Sequence, residues 1–256
     1  MPIYIPFRTL TFLGIALAVR AAAGQTPASP HTGIDVIRAM HDRYASTWYS
    51  TLSFTESADQ SRPDGTTKSE KWWEEAKLPG LLRIDVGVPP TDNTTQRRRM
   101  MFVNGVTYVS VPGKPVQQDA KPNLLLVLGF DVYKQPVERT AQILTAQGFD
   151  LSKMHTDTWH ARPVYVVGAR SGDTTSQQFW VDADRLLFVR LLDASKPGGA
   201  VDSEALFDDY RPLAGGWIAA EVTFSRSGAV RLHEIYSDIQ ANVPLSDALF
   251  DPAQLH

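Results

Sequence analysis

Between Thr51 and Ile239 apolar and polar residues alternate in short runs. In Leu81-Leu82-Arg83-Ile84-Asp85-Val86, Leu82, Ile84 and Val86 fall on one side and Arg83 and Asp85 on the other. That is the two-residue period of a half-buried antiparallel strand. Ile218-Ala219-Ala220-Glu221-Val222-Thr223-Phe224 repeats it. The pattern predicts strands at 52–57, 68–75, 81–86, 100–103 and 106–111, and again at 151–158, 163–169, 176–182, 186–193, 201–210, 217–224 and 230–239. Asn104-Gly105 marks a two-residue hairpin, because a type I′ turn needs positive φ at both positions. Pro63-Asp64-Gly65, Asp182-Ala183-Asp184, Gly215-Gly216 and Ser227-Gly228 mark further turns. A long antiparallel sheet with one greasy face must have that face covered, by core, partner or ligand.

Two segments leave the strand period. Near the start, Ile34, Ile37, Tyr44 and Trp48 fall at helical spacing with Val36 and Met40 beside them, which predicts an amphipathic helix. His41 lies on that stripe and reads as a packing residue. Residues 121–148 interrupt the strands. Pro122 and Pro136 suit helix starts. Leu124, Leu125, Val127 and Leu128 form one short apolar helix, and Val137, Ala141 and Leu144 the face of a second. Gly148 stands where a left-handed cap belongs, and Phe149 can pack back on Leu144.

The first residues read as a leader. Arg8 precedes an uncharged apolar run at 10–19, and Ala21 and Ala23 supply small residues for cleavage. This predicts a signal peptide at 1–23, a flexible lead-in at 24–32 and one domain at 33–256. No other apolar run approaches the ~20 residues of a spanning helix. The leader carries Arg8 and Arg20 and no acid, so 25 basic residues become 23 against 28 acids, a formal charge of −5. That balance gives no electrostatic reason to bind nucleic acid. Cysteine is absent, so neither disulfides nor thiolate chemistry contribute.

Candidate chemistry is sparse. The chain has no G-x-S-x-G, no H-E-x-x-H and no phosphate-binding glycine loop. His155 and Asp157 would share a strand face with His160 turned away, too few ligands for a zinc site. Asp208-Asp209 diverge if they lie in a strand. No metal or cofactor is expected. Trp72-Trp73 and Phe179-Trp180 send one ring to each face of the sheet, so one of each pair joins the core or lines a cavity. Leu186 to Leu192 is apolar on both faces and needs cover on both. Arg97-Arg98-Arg99 follows the polar loop 89–96 and offers a docking point for an anionic headgroup or an acidic partner.

The order of these features resembles the outer-membrane lipoprotein-sorting (LolA-like) family of periplasmic proteins. The resemblance rests on Met40-His41-Asp42-Arg43-Tyr44, Trp48-Tyr49-Ser50-Thr51-Leu52-Ser53-Phe54, Trp72-Trp73 before Lys77-Leu78-Pro79-Gly80, Phe179-Trp180-Val181-Asp182, and Asp209-Tyr210-Arg211-Pro212 with Gly216-Trp217. It implies a mainly β (α+β) fold: a strongly curved, incompletely closed antiparallel barrel, here of about 11 strands, with an N-terminal helix and a helical lid. It also implies a hydrophobic cavity that holds acyl chains. The chain is longer than the dedicated carrier, and the absence of cysteine sets it apart from the lipid-anchored receptor branch. Trp72, Leu82, Ile84, Leu125, Leu128, Trp180 and Val222 are the cavity or lid candidates, and Arg97, Arg98 and Arg99 the docking candidates. The reading is a monomeric, non-enzymatic periplasmic binder of a lipid or acylated protein, with an envelope protein partner and transient membrane contact as further expectations. The alternatives are an envelope interaction protein whose core is filled by its own side chains, and a hydrolase using a carboxylate pair.

Overall fold

A computed structural model of the chain describes Met1 and residues 29–87, 97–194 and 199–255. The expected leader beyond Met1, most of the lead-in and the loop 89–96 lie outside these residues. The N-terminal half holds α1 (Gly33–Tyr44), β1 (Thr51–Ser61), β2 (Thr67–Lys77), β3 (Leu81–Gly87), β4 (Arg98–Val103), β5 (Val106–Ser110) and β6 (Gln117–Asp119). Then come α2 (Leu124–Gly129), a 3-10 turn at Asp131–Tyr133 and α3 (Val137–Ala146). The second half holds β7 (Met154–Trp159), β8 (Arg162–Val167), β9 (Gln178–Asp182), β10 (Leu187–Asp193), β11 (Ser203–Leu213), β12 (Gly216–Arg226) and β13 (Ala229–Ala241).

All thirteen strands form one antiparallel sheet in the order β6-β5-β4-β3-β2-β1-β13-β12-β11-β10-β9-β8-β7. Each half is a meander. The two are joined where the first strand pairs with the last, from Leu52 opposite Ala241 to Gln60 opposite Leu232. Among the described residues the sheet ends at β6 and β7 and is not closed. The thirteen strands among these residues exceed the expected eleven or twelve. β6 carried no signal, because Gln117, Gln118 and Asp119 are all exposed and only pairing with Thr107–Val109 makes them a strand.

The turns follow their residues. Asn104 and Gly105 have φ of 51° and 90°, both positive as a type I′ hairpin requires. One turn is shifted from expectation: Ala214-Gly215, with φ of 43° and 82°, closes β11 onto β12, and Gly216 already pairs with Leu213.

Helix α1 starts with a reciprocal cap: the Asp35 amide donates to Thr32 Oγ1 at 3.2 Å, and the Thr32 amide donates to Asp35 Oδ2 at 2.9 Å. Its buried stripe is Gly33, Val36, Ile37, Met40 and Tyr44. Ile34 was expected on that stripe but is 41% exposed. At about 100° per residue it stands a quarter-turn from the line through Gly33, Ile37 and Tyr44. Trp48 is buried beyond the helix end, stacked on Tyr133 with ring centroids 3.8 Å apart. Helix α3 closes with the expected cap. Gly148 has φ 99°, its amide donates to the Thr145 carbonyl at 3.0 Å, and the Phe149 amide donates to the Leu144 carbonyl at 3.1 Å.

One continuous core lies on the concave side, between the sheet and the helices. A smaller cluster of Val164, Val166, Trp180 and Val189 lies apart from it, with Trp159 and Tyr210 packed against it. Phe179 belongs to the first and Trp180 to the second, as adjacent strand positions must.

Candidate functional site

The concave core is not full. A cavity of about 200 Å³ lies beneath α2, enclosed by the inward positions of β13, β1, β2, β3 and β4. Period-two alternation selects its lining: Leu52 and Phe54 from β1, Trp72 from β2, Leu82 and Ile84 from β3, Met100 and Phe102 from β4. Leu125, Leu126 and Phe130 come down from α2 and its C-terminal side, and Phe207 and Phe224 close the far wall. Four of the seven cavity candidates therefore meet here: Trp72, Leu82, Ile84 and Leu125. Leu128 and Val222 are buried in the surrounding core without lining the cavity. Trp180 is in the separate cluster, because parity turns it away from Phe179.

The same inward positions carry residues that the sequence reading passed over. Glu56 continues the Leu52-x-Phe54 row, Glu74 follows Trp72, and Glu234 precedes Tyr236 on β13. All three glutamates are buried and line the cavity. Pairing assembles them: Glu56 stands opposite Tyr236 on one side and Trp72 on the other, while Glu74 stands opposite Phe54 and Glu234 opposite Ala58. The signal was present as acidic residues at inward parity, Glu56 on β1, Glu74 beside Glu70 on β2 and Glu234 on β13.

Burial pushes the carboxyls of Glu56, Glu74 and Glu234 well above the usual carboxylate range, and their mutual repulsion adds to it. The Tyr236 hydroxyl opposes the rise at Glu56 and Glu234. Glu56 Oε2 has no hydrogen-bond partner. No Lys, Arg or His is among the described residues that line the cavity. Glu70, one inward step along β2 from Trp72, is the contrast. It accepts from Gln60 Nε2 at 2.7 Å and from Trp72 Nε1 at 2.9 Å, and it pairs with Lys68 and, at 3.9 Å, with Arg98.

Past Leu125 the cavity meets a wider cleft of about 690 Å³, which shares Phe102, Asn123, Leu125 and Phe224 with it. The cleft runs between the start of α2 and β10–β12, with Lys121, Arg226 and Arg231 among its lining residues. Helix α2 is set by its cap, since Asn123 Oδ1 accepts from the Leu125 and Leu126 amides at 2.9 and 3.2 Å. Its two faces differ. Leu128 is 0% exposed, whereas Leu125 stands half-buried where cavity and cleft meet.

The three arginines do not form one patch. Arg97 lies over the Trp73 ring at 3.5 Å, and Arg99 Nε lies 3.4 Å from Asp85 on that same outer face. Strand alternation turns Arg98 to the inner face beside Glu70. Elsewhere, His41 Nδ1 sits 2.9 Å from Asp42, His155 Nδ1 is 3.1 Å from the Ala169 carbonyl, and His160 stacks on Trp159 in the turn after β7.

No family model and no curated protein matches the chain. Solved structures do. A DUF1329 family protein from Desulfovibrio piger is 15% identical, with a TM-score of 0.57 over 88% of this chain and 98% of that one. An outer membrane lipoprotein-sorting protein domain from Vibrio parahaemolyticus is 14% identical, with a TM-score of 0.55 over 87% and 97%. A LolA superfamily protein from Nitrosomonas europaea is 12% identical, with a TM-score of 0.53 over 84% and 97%. At such identities the likeness concerns the fold, and the fold is LolA-like, as the order of the motifs implied.

Proposed function

We propose that this chain is a non-enzymatic periplasmic binding protein that holds the apolar part of a lipid or an acylated protein inside its curved sheet. The observation that carries this reading is the cavity beneath α2, apolar over most of its wall and sharing Phe102, Asn123, Leu125 and Phe224 with a neighbouring open cleft. Protein interiors leave few voids larger than a water molecule, so a space of about 200 Å³ ringed by Leu, Ile, Phe and Trp speaks for a ligand rather than for a core filled by its own side chains. Each methylene moved from water into such a site contributes roughly 0.8 kcal/mol, and the preformed wall limits the ordering cost. The leader-like first residues support an envelope location. No helix among the described residues is long and apolar enough to cross a membrane.

Leu125 tests the proposal because it stands between cavity and cleft. Leu125→Glu is expected to weaken uptake of a neutral pyrene-tailed alcohol tenfold or more, on the order of 1.4 kcal/mol, with the β-sheet circular dichroism retained. Leu128→Glu is expected to abolish cooperative unfolding instead, since that side chain is fully buried in the core. A folded Leu125→Glu protein that takes up the alcohol as well as the parent would overturn the assignment of the cavity.

A further inference from the structure

The apolar wall accounts for the body of a ligand and leaves three carboxyls unexplained. Glu56, Glu74 and Glu234 are 2%, 5% and 4% exposed. Well-packed apolar side chains in place of buried charged groups are often neutral or stabilising, so the fold by itself does not call for carboxyls at these positions. Among the described residues that line the cavity with these glutamates none is Lys, Arg or His. The groups facing them are Trp72 from β2, Tyr236 and Leu232 from β13, Phe54 from β1, Asn123 and Leu125 from the start of α2, and Phe207 and Phe224 from β11 and β12. Glu70 on the same row is already engaged with Lys68 and Arg98. Glu75 acts on Glu74 from the outer face, where Arg83 and Arg97 in turn act on Glu75. The Glu56 carboxyl hydrogen-bonds Glu74 and Tyr236, and Glu234 hydrogen-bonds Tyr236, yet one oxygen, Glu56 Oε2, is buried without a hydrogen-bond partner on a residue that lines the cavity. A buried acceptor left open in this way marks where a donor is to arrive.

We propose that the cavity is built for an amphiphile with a cationic head, a long-chain or aromatic amine. Its ammonium sits among Glu56, Glu74 and Glu234, and its apolar body runs past Leu125 into the cleft. This rests on the reading of the cavity as a ligand site and narrows it to one head chemistry. A carboxylate head would bring a further acid to three that have no counter-ion. A bare metal ion is disfavoured by geometry, because no three His, Asp or Glu side chains among the described residues converge closely enough to hold one. An ammonium with an alkyl tail satisfies both features, donating a hydrogen bond to Glu56 Oε2 while its chain meets the rings.

The proton balance follows. In the empty cavity burial disfavours the ionised form of all three glutamates. When an ammonium arrives it keeps its own proton, and one glutamic acid becomes a carboxylate and releases its proton to the buffer. Amine binding therefore tightens as pH rises from 5 to 8, whereas binding of a neutral amphiphile releases no proton.

The experiment compares dodecylamine, 1-dodecanol and dodecanoic acid by calorimetry on the intact chain, each below its micellar concentration, at pH 7 in two buffers of different ionisation enthalpy. The expected order is amine, then alcohol, then acid, with the amine at least tenfold tighter than the alcohol and close to one proton released per amine bound. The triple substitution Glu56→Gln, Glu74→Gln and Glu234→Gln should close the gap between amine and alcohol and abolish proton release. Equal affinities for the three, a preference for the acid, or amine binding without proton release would each overturn the cationic assignment, with no variant needed. If none of the three binds, the ligand-cavity reading itself fails.

Discussion

Asp131 opens the 3-10 turn after α2 and is buried, with Oδ1 accepting the Gly80 amide at 2.9 Å. Burial pushes its carboxyl up to about 7, against the pull of that hydrogen bond. The ordinary carboxyl value near 3.9 applies once the chain unfolds. The folded state therefore binds the proton more tightly. Stability from this group is complete below about pH 4 and is lost as pH rises to 7. The ceiling on that loss is on the order of 4 kcal/mol. Asp131→Asn keeps the acceptor and removes the titration. It is expected to reduce the drop in denaturant-unfolding free energy between pH 4.5 and 8 by 1 kcal/mol or more. An unchanged drop would show that Asp131 ionises in place without cost.

At the scale of elements, the helices between the two meanders owe their ends to single residues. Gly148, at φ 99°, lets the chain leave α3 and turn Phe149 back toward Leu144. A Cβ in that left-handed region costs about 1 kcal/mol or more. Gly148→Ala should therefore lower the melting temperature by roughly 2–4 °C; a rise would mean that the cap tolerates a side chain. Helix α2 has six residues, too short to persist alone, and is held by its Asn123 cap and by the burial of Leu124, Leu126, Val127 and Leu128. That anchoring leaves Leu125 as the side chain between cavity and cleft, which is why one short helix serves as core on one face and lid on the other.

At the scale of the whole molecule, two sets of carboxyls pull stability in opposite directions with pH. The Ser176 hydroxyl and the Thr175 and Ser176 amides hold Asp173 well below the usual range. Burial opposes the same outcome at Asp182, but Arg162 and Arg185 prevail there. Stability from these groups is present above the ordinary carboxyl value and is lost as pH falls below it. Glu56, Glu74, Glu234 and Asp131 are raised by burial, so their contribution is lost as pH rises above about 4. The melting temperature is thus expected to peak near pH 5 and to fall by 4 °C or more toward pH 8. The triple glutamine variant should flatten that fall. A parent protein most stable at pH 8 would contradict the upward shift of the cavity carboxyls.

Local chemistry wrote much of this fold into the sequence. Alternation predicted twelve of the strands, positive-φ dipeptides placed hairpins such as Asn104-Gly105, and Gly148 with Phe149 announced the end of α3. Each of these depends on neighbours a few residues apart. Trp72, Leu82, Ile84 and Leu125 were legible as cavity residues because their parity or apolar run pointed inward. What the local pattern could not express was how inward positions meet across the chain. The pairing of β1 with β13 sets Glu56 beside Tyr236 and brings Glu234 to the same wall. Taken singly, each glutamate is an ordinary polar interruption of a strand. Only the curved sheet removes all three from water and leaves them without a cation. Parity likewise marked two faces for Trp180 and Arg98, but only the packed sheet shows which face encloses the cavity and which carries the smaller cluster around Trp180. Sequence determines the period of each strand, and tertiary structure decides what its inner face encloses, because dielectric environment and empty volume belong to the assembled wall rather than to any segment of it.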